Sequence, residues 1–151
     1  LYGVQAKNSA PLVDNRIIIN PKTLASAIRI GNPASSELAK LAIKETNGEF
    51  LKVSDEEIIS AQSLLASNEG IFCEPASAAS FAGLLKNIEN GLDVKNKRIV
   101  CILTGNGLKD PQNAEKYLSS KIIKTGSSPE SIKKAIITGS STNIISRILS
   151  N

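Results

Sequence analysis

RIVCILTGNGLKDP, Arg98 to Pro111, is the stretch on which the fold turns. The run from Arg98 to Leu103 is continuous and β-branched, the pattern of a strand covered on both faces in a parallel sheet. It stops at Thr104, and two glycines, Asn106, Lys109 and Asp110 crowd into the turn that follows. Thr104 would place a hydroxyl, both donor and acceptor, at a strand end. Gly105 and Gly107 permit backbone angles closed to other residues and remove bulk near a neighbour. The loop is neither GxxxxGK[ST] nor GxGxxG, because Asp110 stands where a third glycine would fall. Two readings stand: a wall facing a ligand, or a glycine turn with Lys109 and Asp110 in water.

Outward from this stretch, extended and helical patterns alternate. LYGVQA, Leu1 to Ala6, reads as a strand, and RIII, Arg16 to Ile19, as a short extended piece broken by Asn20 and Pro21. TLASAIRI, Thr23 to Ile30, fits a helix or a close-packed loop. GNPASS, Gly31 to Ser36, is a turn leading to a helix from Glu37 to Thr46, with Leu38, Leu41 and Ala42 on one face and Gly48 as a stop. Phe50 to Val53 reads as a strand. Ser54 and Glu57 then form a capping box ahead of a helix whose apolar face is Ile58, Ala61, Leu64 and Leu65. IFC, Ile71 to Cys73, reads as a short buried strand. Pro75 then starts a helix that runs to about Glu89 and is closed by Gly91. After Pro111 come a short amphipathic segment near Ala114 to Leu118, the piece KIIK, a capped helix from about Pro129 to Ile137, and a terminal apolar segment to Leu149. The alternation predicts one α/β domain over residues 1–151, a mainly parallel sheet flanked by helices.

Composition narrows the chemistry. The 151 residues are 41% hydrophobic and 21% charged, ordinary for a globular chain with a real core. Aromatics are only 3%, so the core must be aliphatic. With no histidine and two separated cysteines, Ser-His-Asp and Cys-His groups are excluded and no metal site is expected. Cys73 and Cys101 sit in apolar runs and read as free thiols of a cytoplasmic protein. The net charge of +4 comes from scattered lysines without interleaved aromatics, so no nucleic-acid partner is expected. No apolar run is long enough for a membrane span. The chain begins at Leu1 and contains no methionine, which leads us to expect a piece of a longer protein.

Ligands of open α/β sheets bind beyond the carboxyl ends of the strands. CEPASAAS, Cys73 to Ser80, has that position, as the glycine loop does, and AIRIGNPAS, Ala27 to Ser35, is a third candidate. Glu74 would lie beside a helix start whose partial positive charge favours a carboxylate. The alanines and serines after it would admit a flat ligand, or else only tight helix packing.

AIRIGNPAS, then EGIFCEPASAAS, then CILTGNGLKDP, in that order, closely resemble the C-terminal half of the threonine synthase family. GVQA and VSDEEI fit as well, and the resemblance runs from about Tyr2 to Ala114. These are pyridoxal 5'-phosphate enzymes of fold type II, the tryptophan synthase β-like group. The resemblance implies conversion of O-phospho-L-homoserine and water to L-threonine and phosphate, with the cofactor as electron sink. It implies that Thr104 hydrogen-bonds the cofactor's pyridine nitrogen and that Gly105 and Asn106 shape the same wall. Ala27 would lie against a face of the ring with Ile28 and Arg29 beside it, and Glu74 would lie near the cofactor.

The departures bear on competence. The family's Schiff-base lysine, the asparagine beside the phenolic oxygen and the glycine-rich phosphate loop belong to the N-terminal half, and their motifs are absent here. Lys109 occupies a loop position and is no substitute. No catalytic residue is therefore expected in this chain, and alone it should neither hold the cofactor covalently nor turn over substrate. Its partners would be that N-terminal half and, through an exposed hydrophobic face, a second copy in a homodimer. A threonine or serine dehydratase of the same fold type is an alternative, although those enzymes usually carry a serine-glycine-glycine loop instead of LTGNG. A non-catalytic ligand-binding or assembly domain is another.

Overall fold

The computed structural model describes residues 1–111, 116, 123 and 125–138. Two compact units divide the chain, Leu1–Ala114 and Glu115–Asn151. In the second unit, residues 129–138 are helical, and Ser128 Oγ accepts the Ser131 N–H at 3.2 Å as a cap for the first turn. KIIK, the segment near Ala114 to Leu118 and the terminal run to Leu149 fall largely or wholly outside the described residues.

The first unit is α/β. Strand β1 (Tyr2–Ala6) pairs in parallel with β2 (Glu49–Val53), from Tyr2 opposite Glu49 to Ala6 opposite Val53. Helix α1 (Ser36–Glu45) lies in the crossover between them. Helices α2 (Asp55–Glu69) and α3 (Pro75–Glu89) follow and pack on each other, and α3 also packs on both strands.

Local chemistry explains the helix ends. Ser54 Oγ accepts the Glu57 N–H at 3.2 Å while the Glu57 carboxylate accepts the Ser54 N–H, a complete capping box for α2. Burial pushes the Glu57 carboxyl up, but the hydrogen bonds from Lys86 and the Ser54 N–H outweigh it and hold it below the usual carboxylate value. Gly70 ends α2 in the left-handed region, φ +67°. Pro75 opens α3, where a missing N–H costs nothing.

The core is aliphatic and small: Ala6, Ala25, Val53, Ile58, Ala61, Leu65, Cys73, Ala78, Ala79 and Ala82. Alanines let α3 sit close to its neighbours. Gly83 takes this furthest, since a Cβ there would stand 2.5 Å from Val4 Cγ2.

Three expectations change. Arg98–Leu103 forms no strand: it runs beside β1 and α3 without ladder pairing, and Val100 and Ile102 are 78% and 68% exposed. A β-branched run specifies a strand's content, but the described residues supply no adjacent strand to complete a ladder or cover both faces. Ile71–Cys73 is likewise not a strand, because helix α3 begins two residues later. It makes one antiparallel bridge, Cys73 to Asn106, and leaves Ile71 exposed. On α1, Leu38 is 69% exposed and Leu41 is also exposed, and the half-buried face is Ala39, Ala42 and Ile43. Residues Ser26–Ile28 form a 3-10 turn, the compact one of the two forms left open for that segment.

The Gly83 contact is testable by denaturation. Gly83→Ala should lose about 1–3 kcal/mol from overpacking against Val4, more than the gain of under about 1 kcal/mol from helix propensity. In urea unfolding followed by circular dichroism, adding Val4→Ala should recover part of that loss, the non-additivity expected of residues in contact.

Candidate functional site

The corner where α3 begins is built from two short segments lying side by side. Gly107 N–H donates to the Phe72 carbonyl at 3.0 Å, and Glu74 N–H donates to the Gly105 carbonyl at 3.0 Å. Between them Cys73 bridges Asn106. Both glycines lie where a side chain would meet a neighbour. A Cβ on Gly107 would stand 2.5 Å from the Phe72 ring, and one on Gly105 would collide with the Glu74 carboxylate. Asn106 Oδ1 accepts the Leu108 N–H at 2.9 Å, which folds the next residues into a 3-10 turn, Gly107–Lys109.

Glu74 is 7% exposed and caps α3 by position, though its side chain makes no capping hydrogen bond. Its Oε1 lies 3.8 Å from Lys109 Nζ, whose side chain is largely in solvent. Such a long, wet ion pair contributes little to stability. Burial raises the Cys73 thiol above its ordinary value, with the Glu74 charge adding to the effect, and burial alone raises Cys101. Neither thiol is set up as a nucleophile.

A buried hydroxyl holds the loop. Ser77, in the first turn of α3, is 1% exposed. Its Oγ accepts the Gly105 N–H at 2.8 Å and lies 3.1 Å from Thr104 Oγ1. One turn on, Ser80 Oγ is within reach of the Ser77 carbonyl at 3.0 Å and the Ile102 carbonyl at 3.2 Å. Thr104 itself is exposed. The result is an exposed threonine whose hydroxyl is held from behind by a buried serine.

Ala27, Ile28 and Arg29 sit on and just after the 3-10 turn that packs on α3. Ala27 and Arg29 are exposed, and Ile28 is half-buried against the same core that Leu103 meets. The turn is latched at both ends. Asp55, at the start of α2, accepts the Thr23 hydroxyl on Oδ1 and the Leu24 N–H on Oδ2 at 3.0 Å. Thr23 Oγ1 then accepts the Ala25 N–H at 3.1 Å. Ser9, fully buried, reaches the carbonyls of Ile28 and Ile30 at 3.1 and 3.3 Å. Arg29 donates from Nε to the Thr23 carbonyl at 2.9 Å, so part of its guanidinium is occupied in shaping its own loop.

Thr104, Gly105, Asn106 and Glu74 thus come together in one corner, and the Ala27–Arg29 turn meets the same helix. Sequence reasoning missed Ser77, Ser80, Ser9 and Asp55. Only Ser77 and Ser80 carried a local signal: two hydroxyls three residues apart, on one helix face, in a run of alanines.

Residues 1–105 match the family described as pyridoxal-phosphate dependent enzyme. The chain is 54% identical over 114 residues to the threonine synthase of Halalkalibacterium halodurans, covering 76% of this chain and 32% of that protein. It is 50% identical over 130 residues to the threonine synthase of Synechocystis sp., covering 86% and 33%. A crystal structure of a threonine deaminase superposes with a TM-score of 0.48 at 24% identity, over 59% of this chain and 32% of that one. The chain spans about a third of the length of the curated relatives it matches.

The Asp55 latch can be tested without any ligand. Asp55→Ala should cost about 1–3 kcal/mol through loss of charge-assisted hydrogen bonds. Amide hydrogen exchange at Leu24 and Ala25 should quicken by about tenfold or more, while that at Ala78 and Ala79, in the middle of α3, changes only as far as global stability does.

Proposed function

The chain belongs to the pyridoxal-phosphate-dependent enzyme family, and we propose that it supplies the ring-nitrogen wall of a threonine synthase site. The observation that carries this reading is the hydroxyl of the exposed Thr104, backed by a buried serine and not by a carboxylate.

The corner suits that part of the cofactor. A pyridine nitrogen needs one hydrogen-bond partner, and Thr104 offers a neutral one at the end of an extended segment. A neutral partner leaves the nitrogen largely unprotonated, where an aspartate would hold a proton on it. Gly105 brings backbone close with no side chain in the way, and Asn106, tied to its own turn, keeps the loop's shape. Glu74 packs against Gly105 and would lie near the cofactor. Ala27 would lie against the ring face, its methyl small enough for close approach, with Ile28 anchoring the turn and Arg29 bracing it. The bound cofactor would supply an electron sink for carbanions at the substrate's α and β carbons.

The substrate in this reading is O-phospho-L-homoserine, with phosphate leaving and water adding to give L-threonine. The relatives' name, threonine synthase, and identities of 50–54% support it. The Schiff-base lysine, the phosphate-binding loop and most contacts to the substrate phosphate would come from an N-terminal half of the same enzyme. A cytoplasmic homodimer belongs to the same proposal. None of this chain's lysines takes the covalent role, and Lys109 is placed beside Glu74.

Two measurements test this. In the complete enzyme, Thr104→Val keeps shape and removes the hydroxyl, so kcat/KM should fall by roughly 10- to 1000-fold, the scale of losing one placed polar contact at a reacting centre. Unchanged kinetics and cofactor absorbance would refute the assignment. Separately, the 151-residue chain, incubated with pyridoxal phosphate and treated with borohydride, should yield no specifically modified lysine on peptide mapping. Stoichiometric labelling of one lysine would show that the chain is competent by itself.

A further inference from the structure

Ser77 has one proton, and two oxygens are in position to receive it: Thr104 Oγ1 at 3.1 Å and the Gly105 carbonyl at 3.3 Å. One lone pair of Ser77 is already taken by the Gly105 N–H at 2.8 Å. The two ways of placing the proton have opposite consequences for Thr104. If Ser77 donates to Gly105, Thr104 donates inward to Ser77 and shows only lone pairs outward. If Ser77 donates to Thr104, the threonine's own proton is free to point outward.

The geometry favours the second arrangement. Thr104 Oγ1 is the nearer acceptor, and the Gly105 carbonyl already accepts the Glu74 N–H at 3.0 Å. Ser77 is buried on the first turn of a long helix, so its position is set by the scaffold and not by the loop.

We propose that Ser77 is a positioning residue that donates to Thr104 and thereby fixes the Thr104 hydroxyl as an outward donor, matched to an unprotonated aromatic nitrogen. The role rests on the reading that Thr104 faces the cofactor's ring nitrogen. It adds a polarity to that contact: the pair Ser77 and Thr104 recognises a nitrogen with a free lone pair and not one that carries a proton.

The test uses the complete enzyme loaded with cofactor labelled with 15N at the ring nitrogen. Thr104→Val should move the nitrogen resonance downfield, toward that of a nitrogen without a donor. Ser77→Ala should move it in the same direction by half or more of that displacement, and the double variant should move it no further than Thr104→Val alone. In Ser77→Ala, kcat should fall about 10-fold with KM within about threefold, as expected when an interaction at the reacting centre is lost and ground-state binding is kept. Ser77→Ala also strands the Gly105 N–H, so thermal melting is followed alongside. If that variant does not fold, Ser77→Cys, close in size and a weaker donor, should move the resonance in the same direction by a smaller amount. A displaced resonance in Thr104→Val with a wild-type resonance in folded Ser77→Ala, or in Ser77→Cys, would make Ser77 purely structural and overturn the proposal. An unmoved resonance in Thr104→Val would overturn the placement of Thr104 and the role of Ser77 together.

Discussion

The hydrogen bond from the Gly105 N–H to Ser77 Oγ is the contact on which the corner depends. It joins a residue of an extended segment, which has no ladder to support it, to the first turn of the helix most deeply embedded in the unit. A backbone N–H at an irregular turn must find an acceptor, and a buried side-chain hydroxyl is one of few that can reach it. Once that bond is made, Thr104 has little freedom, the Gly105 carbonyl meets Glu74, and Gly107 closes on Phe72. Ser80 repeats the device one turn along, toward the Ile102 carbonyl. Hydroxyls on one face of α3 thus do for residues 102–105 what a neighbouring strand does in a complete sheet.

Such stitching works because the helix comes close. The α3 positions facing the core are Ala78, Ala79, Ala82 and Gly83, and Gly83 brings the helix against Val4 of β1. Small residues forfeit buried area per side chain, and they gain proximity in return. The capping box and the Lys86–Glu57 pair, which ties α3 back to the start of α2, hold the two helices in register at their ends. Asp55 belongs to the same helix start, so the anchor of α2 is also the anchor of the Ala27–Arg29 turn. The two candidate walls therefore hang from two adjoining helices, one at the start of each.

What was legible in the sequence follows this division between local and non-local causes. The capping box at Ser54 and Glu57, the proline start of α3 and both strands were readable, because each is decided within a few residues. Burial of Arg98–Leu103 was not, because a strand's burial is decided by what lies beside it. The face of α1 was misjudged for a related reason: leucines mark a helix face only if a partner covers them, and here Ala39, Ala42 and Ile43 meet the rest of the unit. Ile71–Cys73 had the composition of a strand and too little length before Pro75 to be one. In the candidate site, Thr104, Gly105, Asn106, Glu74 and the Ala27–Arg29 turn were nameable from motifs in order. Ser77 was not, since its partners lie 27 and 28 residues away and only the fold brings them within reach.

That distance in sequence bears on the chemistry of the contact. A threonine on a loop can rotate its hydroxyl among several partners, and its direction then follows whatever ligand arrives. A threonine whose oxygen is held at 3.1 Å from a buried serine on a helix has fewer choices. In the proposed arrangement the direction of its proton follows from the hydrogen bonds behind it: Gly105 donates to Ser77, Glu74 donates to Gly105, and Ser77 gives its one proton to Thr104, its nearer acceptor. An outward-facing donor selects its partner by protonation state as well as by shape. A carboxylate in the same place would accept a proton and so favour the charged ring. In the proposed arrangement a hydroxyl ordered in this way favours the neutral one, through backbone amides and a buried serine.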